Sequence, residues 1–507
     1  MSNLNAAELT VGVVGTGAMG RGIAQVAITG GMKALLFDAA EGAAAKAEEF
    51  IHGMLDRGVD KGRMEAADAE AAKSRLSVVD SLEGLAPCNL VVEAIVEDLG
   101  IKQEVFTALE NIVADDAIIA SNTSSIRIAS IAAACERKDR IAGLHFFNPV
   151  PLMRLVEVIR APHTSDKTTD TLMEIGKFMG RTPVIAKDGP GFLVNLGGRA
   201  YTTEGMRLLH EGVASPAQID AVMRDCCNFR MGPLELADLT GIDVNFPVSK
   251  IIYDGYFQDQ RLATSPIHEA MQAAGLLGRK TGAGFYTYDS DGTQSGGGAP
   301  ADHVTDAAPA PRVVMFEDDE ELKELFVQAG AEVVYSDDEQ SPIVCAPIGE
   351  DCTSAAVRLN ADHSRLVAVD TLTPYDKRVT IMTTPGADPA IRDAVAARLA
   401  NGQGGSGIKV TAINDSFGFI APRIRAMIAN LGCEMAQTGV AAPDDIDTAM
   451  TLGLNYPIGP MALTDAMGPE IVLALLDAFY GLTGDTRYRP SQWLRRRALL
   501  GLPAGTV

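Results

Sequence analysis

Short apolar runs alternate with longer amphipathic stretches over residues 9–186. Runs this short are typical of strands, and the stretches between them are long enough to form helices. The alternation therefore predicts a parallel α/β sheet in this part of the chain. The predicted strands are residues 11–14, 34–37, 90–93, 117–120, 140–145 and 155–159.

The pattern becomes helical after Gly191 and ends in a glycine-rich segment at 278–286. Residues 290–311 are rich in glycine, alanine and proline and have no apolar periodicity, so we predict a flexible linker there. A second helical pattern runs from about residue 417 to the end. Between the linker and this helical region, strand-like runs return at 313–316, 332–335, 366–369 and 379–383.

The chain also contains one stretch of itself twice. Residues 188–238 align without a gap on 415–465, an offset of 227, and 140–149 align on 365–374, an offset of 225. Residues that are kept in both copies are expected to stabilise the fold. Polar residues that occur only in the first copy are candidates for a catalytic or binding role. Three polar residues are lost on this alignment: His145 becomes Asp370, Glu157 becomes Met382, and Asn195 becomes Pro422.

Composition narrows the class of protein. At 507 residues the chain is too long for one hydrophobic core. With 47% hydrophobic and 21% charged residues, it is typical of a soluble globular protein. The net charge of −23 argues against a nucleic-acid binder or an anionic-membrane binder. The seven cysteines show no metal-type spacing, so we expect no metal site and a cytoplasmic location. Neither a leader segment nor a membrane-spanning run is indicated.

The first predicted strand runs directly into a glycine-rich turn and then a helical stretch. In such a turn the first glycine permits the sharp bend, the second lets a pyrophosphate approach the backbone, and the third lets the helix pack on the strand. Asp38 ends the second strand, 23 residues after Gly15. Its carboxylate can accept hydrogen bonds from the adenosine ribose and would repel a 2′-phosphate, which favours NAD over NADP. The predicted turn consists of Gly15, Thr16, Gly17, Ala18, Met19 and Gly20.

The second copy carries a run of carboxylates where this turn should recur, because residues 317–321 read Glu-Asp-Asp-Glu-Glu. Such a run cannot hold a pyrophosphate, so we expect one NAD site per chain.

These observations predict the fold class and the domain order. We expect an α/β protein with a Rossmann-type NAD domain and an all-helical domain, followed by a degenerate second copy of both. The predicted boundaries are 1–186 for the NAD domain, 187–289 for the helical domain, 290–311 for the linker, 312–411 for the shortened Rossmann-like domain and 412–507 for the second helical domain.

His145 ends a predicted strand, and Glu157 lies on the next one. A lone histidine beside aromatic residues is more often a core or capping residue. Its loss from the copy that also lacks the glycine turn favours a functional role. A histidine can exchange a hydroxyl proton near neutral pH, and a carboxylate partner fixes its tautomer and stabilises the imidazolium. Ser124 lies just beyond another strand end, where ligands bind in such sheets, although a capping serine would look the same there.

Several motifs in this order resemble the L-3-hydroxyacyl-CoA dehydrogenase family. The repeated helical region resembles the duplicated form found among bacterial 3-hydroxybutyryl-CoA and 3-hydroxyadipyl-CoA dehydrogenases. The motifs are Val92-Glu93-Ala94-Ile95-Val96-Glu97, Ser121-Asn122-Thr123-Ser124-Ser125, Gly143-Leu144-His145-Phe146-Phe147-Asn148-Pro149, Leu155-Val156-Glu157-Val158-Ile159, Gly191-Phe192-Leu193-Val194-Asn195 and the segment 278–286.

The resemblance implies roles for individual residues. His145 would be the general acid and base, Glu157 its orienting partner, and Ser124 and Asn195 the hydrogen-bond donors to the 3-oxygen of the substrate. It further implies that the cofactor is contacted by Ala94, Glu97, Lys102, Asn122 and Asn148.

The chain departs from the family pattern at two places. Leu196, Gly197 and Gly198 follow Asn195 where an arginine is usual, which predicts a reshaped helix start. The residues after Asp38 lack the lysines that often meet CoA phosphates, since Lys46 is the first basic residue there.

The resemblance implies NAD-dependent oxidation of an L-3-hydroxyacyl-CoA to the 3-ketoacyl-CoA, in fatty-acid β-oxidation or phenylacetate degradation. Two alternatives stay open. One is a related dehydrogenase of a free polyol acid such as gulonate, and the other is a non-enzymatic NAD-binding protein of the lens-crystallin kind. Single-copy members pair their helical domains between subunits, so we expect the two helical domains here to pair within the chain. A homo-oligomer is also compatible with the sequence.

Overall fold

The computed structural model describes residues 4–297, 300–402 and 407–507. Contacts divide the chain into two compact units. The first unit contains residues 1–196 and 438–454, and the second contains 197–437 and 455–507. Within the described ranges, no helix is both long and apolar enough to cross a bilayer.

The first unit is built on one eight-stranded sheet in the order β3-β2-β1-β4-β5-β6-β7-β8. All neighbouring strands are parallel except the antiparallel pair β6 and β7. The six predicted strands are present, and the short strand β3 and the edge strand β8 are additional. The strands are β1 Thr10–Val14, β2 Lys33–Phe37, β3 Leu76–Val78, β4 Leu90–Glu93, β5 Ile118–Ser121, β6 Ile141–Phe146, β7 Leu155–Arg160 and β8 Thr182–Lys187.

Helices cover both faces of this sheet, as the alternating pattern predicts. Local signals explain where two of them begin: Asp98 accepts a hydrogen bond from the amide of Ile101, and Ser165 accepts one from that of Thr168. The core between sheet and helices contains completely buried Val11, Val92 and Leu144. The helices are α1 Ala18–Thr29, α2 Ala43–Asp60, α3 Ala66–Lys73, α4 Leu99–Ile112, α5 Ile128–Ala132, α6 Asp166–Phe178 and α7 Val194–Gly197.

The second unit begins with the first helical region. Ser215 starts its second helix with a capping box that includes Gln218, and proline occupies the first turn of several of these helices. The helices are α8 Arg199–His210, α9 Pro216–Cys227, α10 Pro233–Thr240, α11 Ile242–Gly255 and α12 Pro266–Ala273, followed by the short strands β9 Thr287–Tyr288 and β10 Gln294–Gly296.

Of the predicted linker at 290–311, residues 298 and 299 lie outside the described residues. Its second half makes specific contacts. Asp302 forms an ion pair of 2.7 Å with Arg378, and the amide of His303 donates to the carbonyl of Val410 over 2.7 Å. Residues 302 and 303 are therefore attached to the second sheet, which their composition did not indicate.

The second sheet has six strands in the order β12-β11-β13-β14-β15-β16, with β14 and β15 antiparallel and the other pairs parallel. It is a shortened form of the first sheet, and its antiparallel pair matches β6 and β7. Its elements are β11 Arg312–Val314, α13 Glu320–Gln328, β12 Glu332–Val334, β13 Ile343–Cys345, α14 Cys352–Leu359, β14 Leu366–Val369, β15 Arg378–Thr383, α15 Pro389–Ala400 and β16 Lys409–Ile413.

The second helical region repeats the backbone of the first. Unusual left-handed backbone angles recur at the offset of 227, although two of the residue pairs are not glycine. The helices are α16 Ala421–Gln437, α17 Pro443–Leu454, α18 Pro460–Met467, α19 Pro469–Thr483 and α20 Gln492–Leu500. The left-handed pairs include Gly191 and Gly418, Phe192 and Phe419, Gly212 and Gly439, Asn228 and Asn455, and Gly241 and Gly468.

Each helical copy also contributes one helix to the opposite sheet. Helix α17 belongs to the second copy by sequence, but it packs in the first unit against β7 and β8. Helix α9 belongs to the first copy, and it packs in the second unit against β15. In the second unit, α8 packs along α16, so the long helices of the two copies lie side by side.

Candidate active site

The glycine-rich turn between β1 and α1 has room for a ligand on one side only. A side chain at Gly15, whose φ is +91°, would place its Cβ 2.7 Å from the carbonyl oxygen of Ala94. A Cβ at Gly20 would lie 1.8 Å from the carbonyl oxygen of Gly15. A Cβ at Gly17 would meet no protein atom within 4 Å, so this face of the turn is open at the start of α1. The three glycines thus fit the bend, the packing contact and the phosphate approach that a dinucleotide requires.

Asp38 follows β2 and ties the turn in place. Its carboxylate accepts hydrogen bonds from the amide and hydroxyl of Thr16, at 2.7 and 2.8 Å, and from the amide of Ala40 at 2.9 Å. Partial burial would raise the pKa of Asp38, but these hydrogen bonds lower it below the ordinary value. A cavity of about 720 Å³ lies beside it, with Gly17, Ala94 and Ile101 among its lining residues. The mostly apolar lining suits an adenosine moiety, with Asp38 as its polar contact.

A polar network lies at the carboxyl ends of β4 and β5, and its members are buried except for Glu97, whose side chain is 39% exposed. The ammonium of Lys102 is 2.6 Å from Glu93 and 3.2 Å from Glu97. The hydroxyl of Ser121 donates to the other oxygen of Glu93 over 2.7 Å, and that of Thr123 donates to Glu97 over 2.5 Å. Burial would raise the pKa of Glu97, yet the hydroxyl donors and Lys102 lower it.

Sequence reasoning singled out Glu97 and Lys102 but not Glu93, which is completely buried. The sequence signal that could have identified Glu93 is its position, since it is a carboxylate at the end of an apolar strand. Because Glu93 neutralises Lys102 at 2.6 Å, it holds the lysine in the interior of the site.

The predicted residues of the 121–125 and 145–149 segments lie at the same sheet edge. The side-chain oxygen of Asn122 accepts a hydrogen bond from the amide of Phe146 over 2.9 Å, which ties the two segments together. Ser124 is exposed, and it is Ser125 whose hydroxyl donates to Glu97, at 2.8 Å. Asn148 is exposed in the turn after β6.

His145 and Glu157 face each other across the antiparallel strands β6 and β7. Nδ1 of His145 lies 2.5 Å from Oε2 of Glu157, and both side chains are buried. The other oxygen of Glu157 accepts hydrogen bonds from the amides of Leu193, at 3.1 Å, and Val194, at 2.8 Å. Since the carboxylate binds Nδ1, the chemically free nitrogen of the imidazole is Nε2. The pair can therefore exchange a proton at one defined atom.

Asn195 is the residue after Val194 in the short helix α7, so the amides that bind Glu157 also locate it beside the pair. Helix α7 ends at Gly197, and α8 begins at Arg199. The corresponding helix of the second copy, α16, is continuous from Ala421. The glycines after Asn195 thus interrupt the helix start, as the sequence predicted.

The second copy lacks this arrangement, but its alignment with the first needs one correction. The constant offset of 225 puts Met382 at the position of Glu157, whereas the strand register pairs Met382 with Ala368. The amide of Asp370 instead donates to the carbonyl of Thr380, so Thr380 occupies the position of Glu157. The turn between β14 and β15 is shorter than its counterpart, which a constant offset does not allow for. Asp370 and Thr380 are both buried.

Carboxylates line the second copy where a cofactor turn would lie. Asp319 caps α13 by accepting from the amide of Leu322 over 2.9 Å. Arg358 pairs with Glu317 and, at 2.8 Å, with Glu350. These residues line a cavity of about 520 Å³. Among the described residues, Arg358 is the only basic side chain in its lining, and it is already paired with carboxylates.

Comparisons with known proteins cover nearly the whole chain. The family model for the NAD binding domain of 3-hydroxyacyl-CoA dehydrogenase matches residues 10–189, and that for the C-terminal domain matches 191–288 and again 418–504. The 3-hydroxyadipyl-CoA dehydrogenase of Escherichia coli is 36% identical over 97% of this chain and 98% of its own.

Two further relatives show how the match is distributed. The human mitochondrial hydroxyacyl-coenzyme A dehydrogenase is 42% identical over 55% of this chain and 90% of its own. A crystal structure of 3-hydroxybutyryl-CoA dehydrogenase from Escherichia coli K12 superposes with a TM-score of 0.83 at 34% identity, covering 98% of this chain and 99% of that one.

Proposed function

Because the chain belongs to the 3-hydroxyacyl-CoA dehydrogenase family, we propose that His145 and Glu157 carry its NAD-dependent oxidation of an L-3-hydroxyacyl-CoA to the 3-ketoacyl-CoA. The observation that supports this assignment is the buried contact of 2.5 Å between the two side chains, in the same sheet as the strand that leads into a glycine-rich turn open for a dinucleotide. The second copy, without this pair and with acids in place of the turn, is assigned no chemistry.

In the proposed reaction, Nε2 of His145 accepts the proton of the 3-hydroxyl as C3 is oxidised. Bound NAD supplies the acceptor for the hydride that leaves C3. Glu157 keeps the imidazole in one tautomer and stabilises the imidazolium that forms. In the reverse direction the same imidazolium protonates the oxygen of the 3-ketone.

We propose that Ser124 and Asn195 bind the 3-oxygen of the substrate. Their side chains can donate hydrogen bonds to this oxygen as it becomes a carbonyl oxygen. The network of Glu93, Lys102 and Glu97 supports a role near the nicotinamide half of the cofactor, because it places polar side chains at the carboxyl ends of β4 and β5, the edge where such sheets bind ligands. Asn122 and Asn148 belong to the same edge.

The acyl group is proposed to be short. Two relatives that match along nearly the whole chain at 34–36% identity are named for a 3-hydroxyadipyl and a 3-hydroxybutyryl substrate. Measuring kcat/KM for 3-hydroxybutyryl-CoA and 3-hydroxyadipyl-CoA separates the two, and a preference for a long-chain acyl-CoA would contradict the proposal.

The decisive test is NADH oxidation with acetoacetyl-CoA. We expect turnover with the thioester, none with free acetoacetate, and, in the opposite direction, no reduction of NAD by free gulonate. Turnover of the free acids alone would favour a polyol-acid dehydrogenase, and NADH binding without any turnover would favour a non-enzymatic protein. Calorimetry should find one NAD site per chain, and a second site would contradict our interpretation of the acidic segment at 317–321.

The proposed location is the cytoplasm. Six of the seven cysteines are buried, and no disulfide joins any of them in the described part of the chain, which suits a reducing compartment. Cell fractionation with an activity assay tests this, and activity confined to a secreted fraction would contradict it.

A further inference from the structure

Helix α17 comes from the copy without catalytic residues, yet it covers the edge of the first sheet. The edge strand β8 has three outward positions, and one of them is Pro183, which has no amide hydrogen. The amide of Ile185 donates to the carboxylate of Asp445 over 3.4 Å, and that of Lys187 donates to the carbonyl of Val440 over 2.7 Å. Unpaired edge amides are thus satisfied by the second copy.

Farther along the helix, Gly453 approaches the strand that carries Glu157. A Cβ at Gly453 would lie 2.9 Å from Cδ2 of Leu155, and 3.1 and 3.2 Å from the two Cγ atoms of Val194. Gly453 lies in the last turn of α17, where most residues fit, and glycine is a poor helix former. The close approach to Leu155 and Val194 supplies a reason for glycine at this position.

Both of these residues lie next to Glu157 in the fold. Leu155 precedes it by two positions on β7, so the two side chains share a face of the strand. The amide of Val194 donates to the carboxylate of Glu157 over 2.8 Å, and the carboxylate contacts His145. Gly453 therefore touches the strand and the loop that together fix the acid–base pair.

The pseudo-symmetric contact in the second unit has a side chain instead. Cys226 of α9 lies 227 residues before Gly453, and its Sγ is 3.3 Å from the carbonyl oxygen of Arg378 on β15. In the strand register, Arg378 takes the place of Leu155, just as Thr380 takes the place of Glu157. The fold thus accepts a side chain at this helix position, and glycine occurs only where the covered strand carries Glu157.

We propose that α17 is a positioning element of the first-copy active site, with Gly453 as its contact residue; this rests on the function proposed above. The second copy has lost its own chemistry, and its retained role includes bracing β7 and the Leu193–Val194 loop. Gly453 acts on the reaction through Glu157 and does not touch the reacting atoms.

The test compares Gly453→Val with the matched variant Cys226→Val in the full-length protein. We expect Gly453→Val to lower kcat with acetoacetyl-CoA by at least about tenfold while leaving the Kd for NADH unchanged. Cys226→Val should keep kcat within about twofold of wild type. Adding Leu155→Ala to Gly453→Val should restore part of the lost kcat, because it removes the nearest of the three atoms that the new side chain meets. A folded Gly453→Val with near wild-type kcat would overturn the proposal, as would an equal loss in Cys226→Val.

If Gly453→Val does not fold, Gly453→Ala replaces it in the comparison with Cys226→Val. The Cβ of an alanine at this position would already lie 2.9 Å from Cδ2 of Leu155. Hydrogen exchange gives a readout that does not depend on activity. The amides of Leu193 and Val194 should exchange faster in the Gly453 variant than in wild type. Faster exchange in a protein that lacks dehydrogenase activity would support the bracing contact and contradict only the proposed function. Unchanged exchange would overturn the bracing contact itself.

Discussion

The guanidinium of Arg423, from the second copy, lies 2.7 Å from the carboxylate of Glu204, from the first copy, and neither side chain is exposed. Arg487 contacts the other oxygen of the same carboxylate at 2.7 Å, and the hydroxyl of Tyr488 donates over 2.9 Å to the oxygen that Arg423 contacts. Burial would raise the pKa of Glu204, but Arg487 and Arg423 outweigh it and lower the pKa to about 2. The two helical copies are thus joined by a buried ionic cluster.

Removing one charge from this cluster should lower the stability of the protein more than removing all three charges together. Glu204→Leu leaves the buried guanidinium of Arg487 without this carboxylate and that of Arg423 with only Glu211, at 2.8 Å, and we expect it to lower the free energy of unfolding by about 3–5 kcal/mol. Replacing Glu204, Arg423 and Arg487 together by apolar residues should cost clearly less. Urea unfolding measures both. The exposed pair of Lys250 and Asp254 is the control, because Asp254→Ala should change stability by less than about 1 kcal/mol. A triple variant less stable than Glu204→Leu would contradict this.

Loss of the acid–base pair should remove catalysis and spare cofactor binding. We expect His145→Ala and Glu157→Gln each to lower kcat by about 10²–10⁴-fold, with the Kd for NADH near wild type. Asp370→Asn is the matched control at the equivalent position of the second copy, and it should leave kcat unchanged. If His145→Ala kept more than about a tenth of wild-type kcat, the assignment would be wrong.

Asp38 should set the preference for NAD. Its carboxylate would repel a 2′-phosphate, so Asp38→Ser should narrow the ratio of kcat/KM for NAD over NADP by at least about tenfold, or about 1.4 kcal/mol. A serine can keep one hydrogen bond to the Thr16 turn, which limits structural damage. Glu41→Gln removes a nearby exposed carboxylate and should leave the ratio unchanged. An unaltered ratio in Asp38→Ser would place the discrimination elsewhere.

Asp370 should make the protein less stable as the pH rises. Burial raises the pKa of Asp370 to about 7, well above that of an unfolded aspartate. Between these two values only the unfolded chain ionises, so the stabilisation present at low pH is lost as the pH rises toward about 7. Asp370→Asn should therefore be more stable than wild type at pH 8 by at least about 1 kcal/mol, and no more stable near pH 4. Thermal unfolding at both pH values measures this. A gain of equal size at both would exclude ionisation as the cause.

Local sequence patterns were sufficient for much of the fold. Six of the eight strands in the first sheet were predicted, since each is an apolar run bounded by polar residues. Strand β3 is only three residues long, and β8 contains Pro183, which argues against a strand unless it lies at an edge. The glycine turn and Asp38 could also be predicted, because their spacing reflects one strand-turn-helix unit.

The repeat identified His145 and Glu157 as candidates, because comparing the two copies separates residues kept for folding from those lost with the chemistry. It could not give the strand register of the second copy, so Met382 was placed where Thr380 lies. A two-residue change in one turn alters every pairing beyond it, and a constant offset does not detect this.

The sequence by itself therefore determined the elements, the cofactor turn and the candidate acid–base pair, since each depends on residues close together in the chain. Only the tertiary structure decided that Glu93 neutralises Lys102, that Glu204 joins the two copies, and that Gly453 reaches the strand of Glu157. Such contacts depend on which faces pack together, and packing is settled by shape and charge between residues far apart in the sequence.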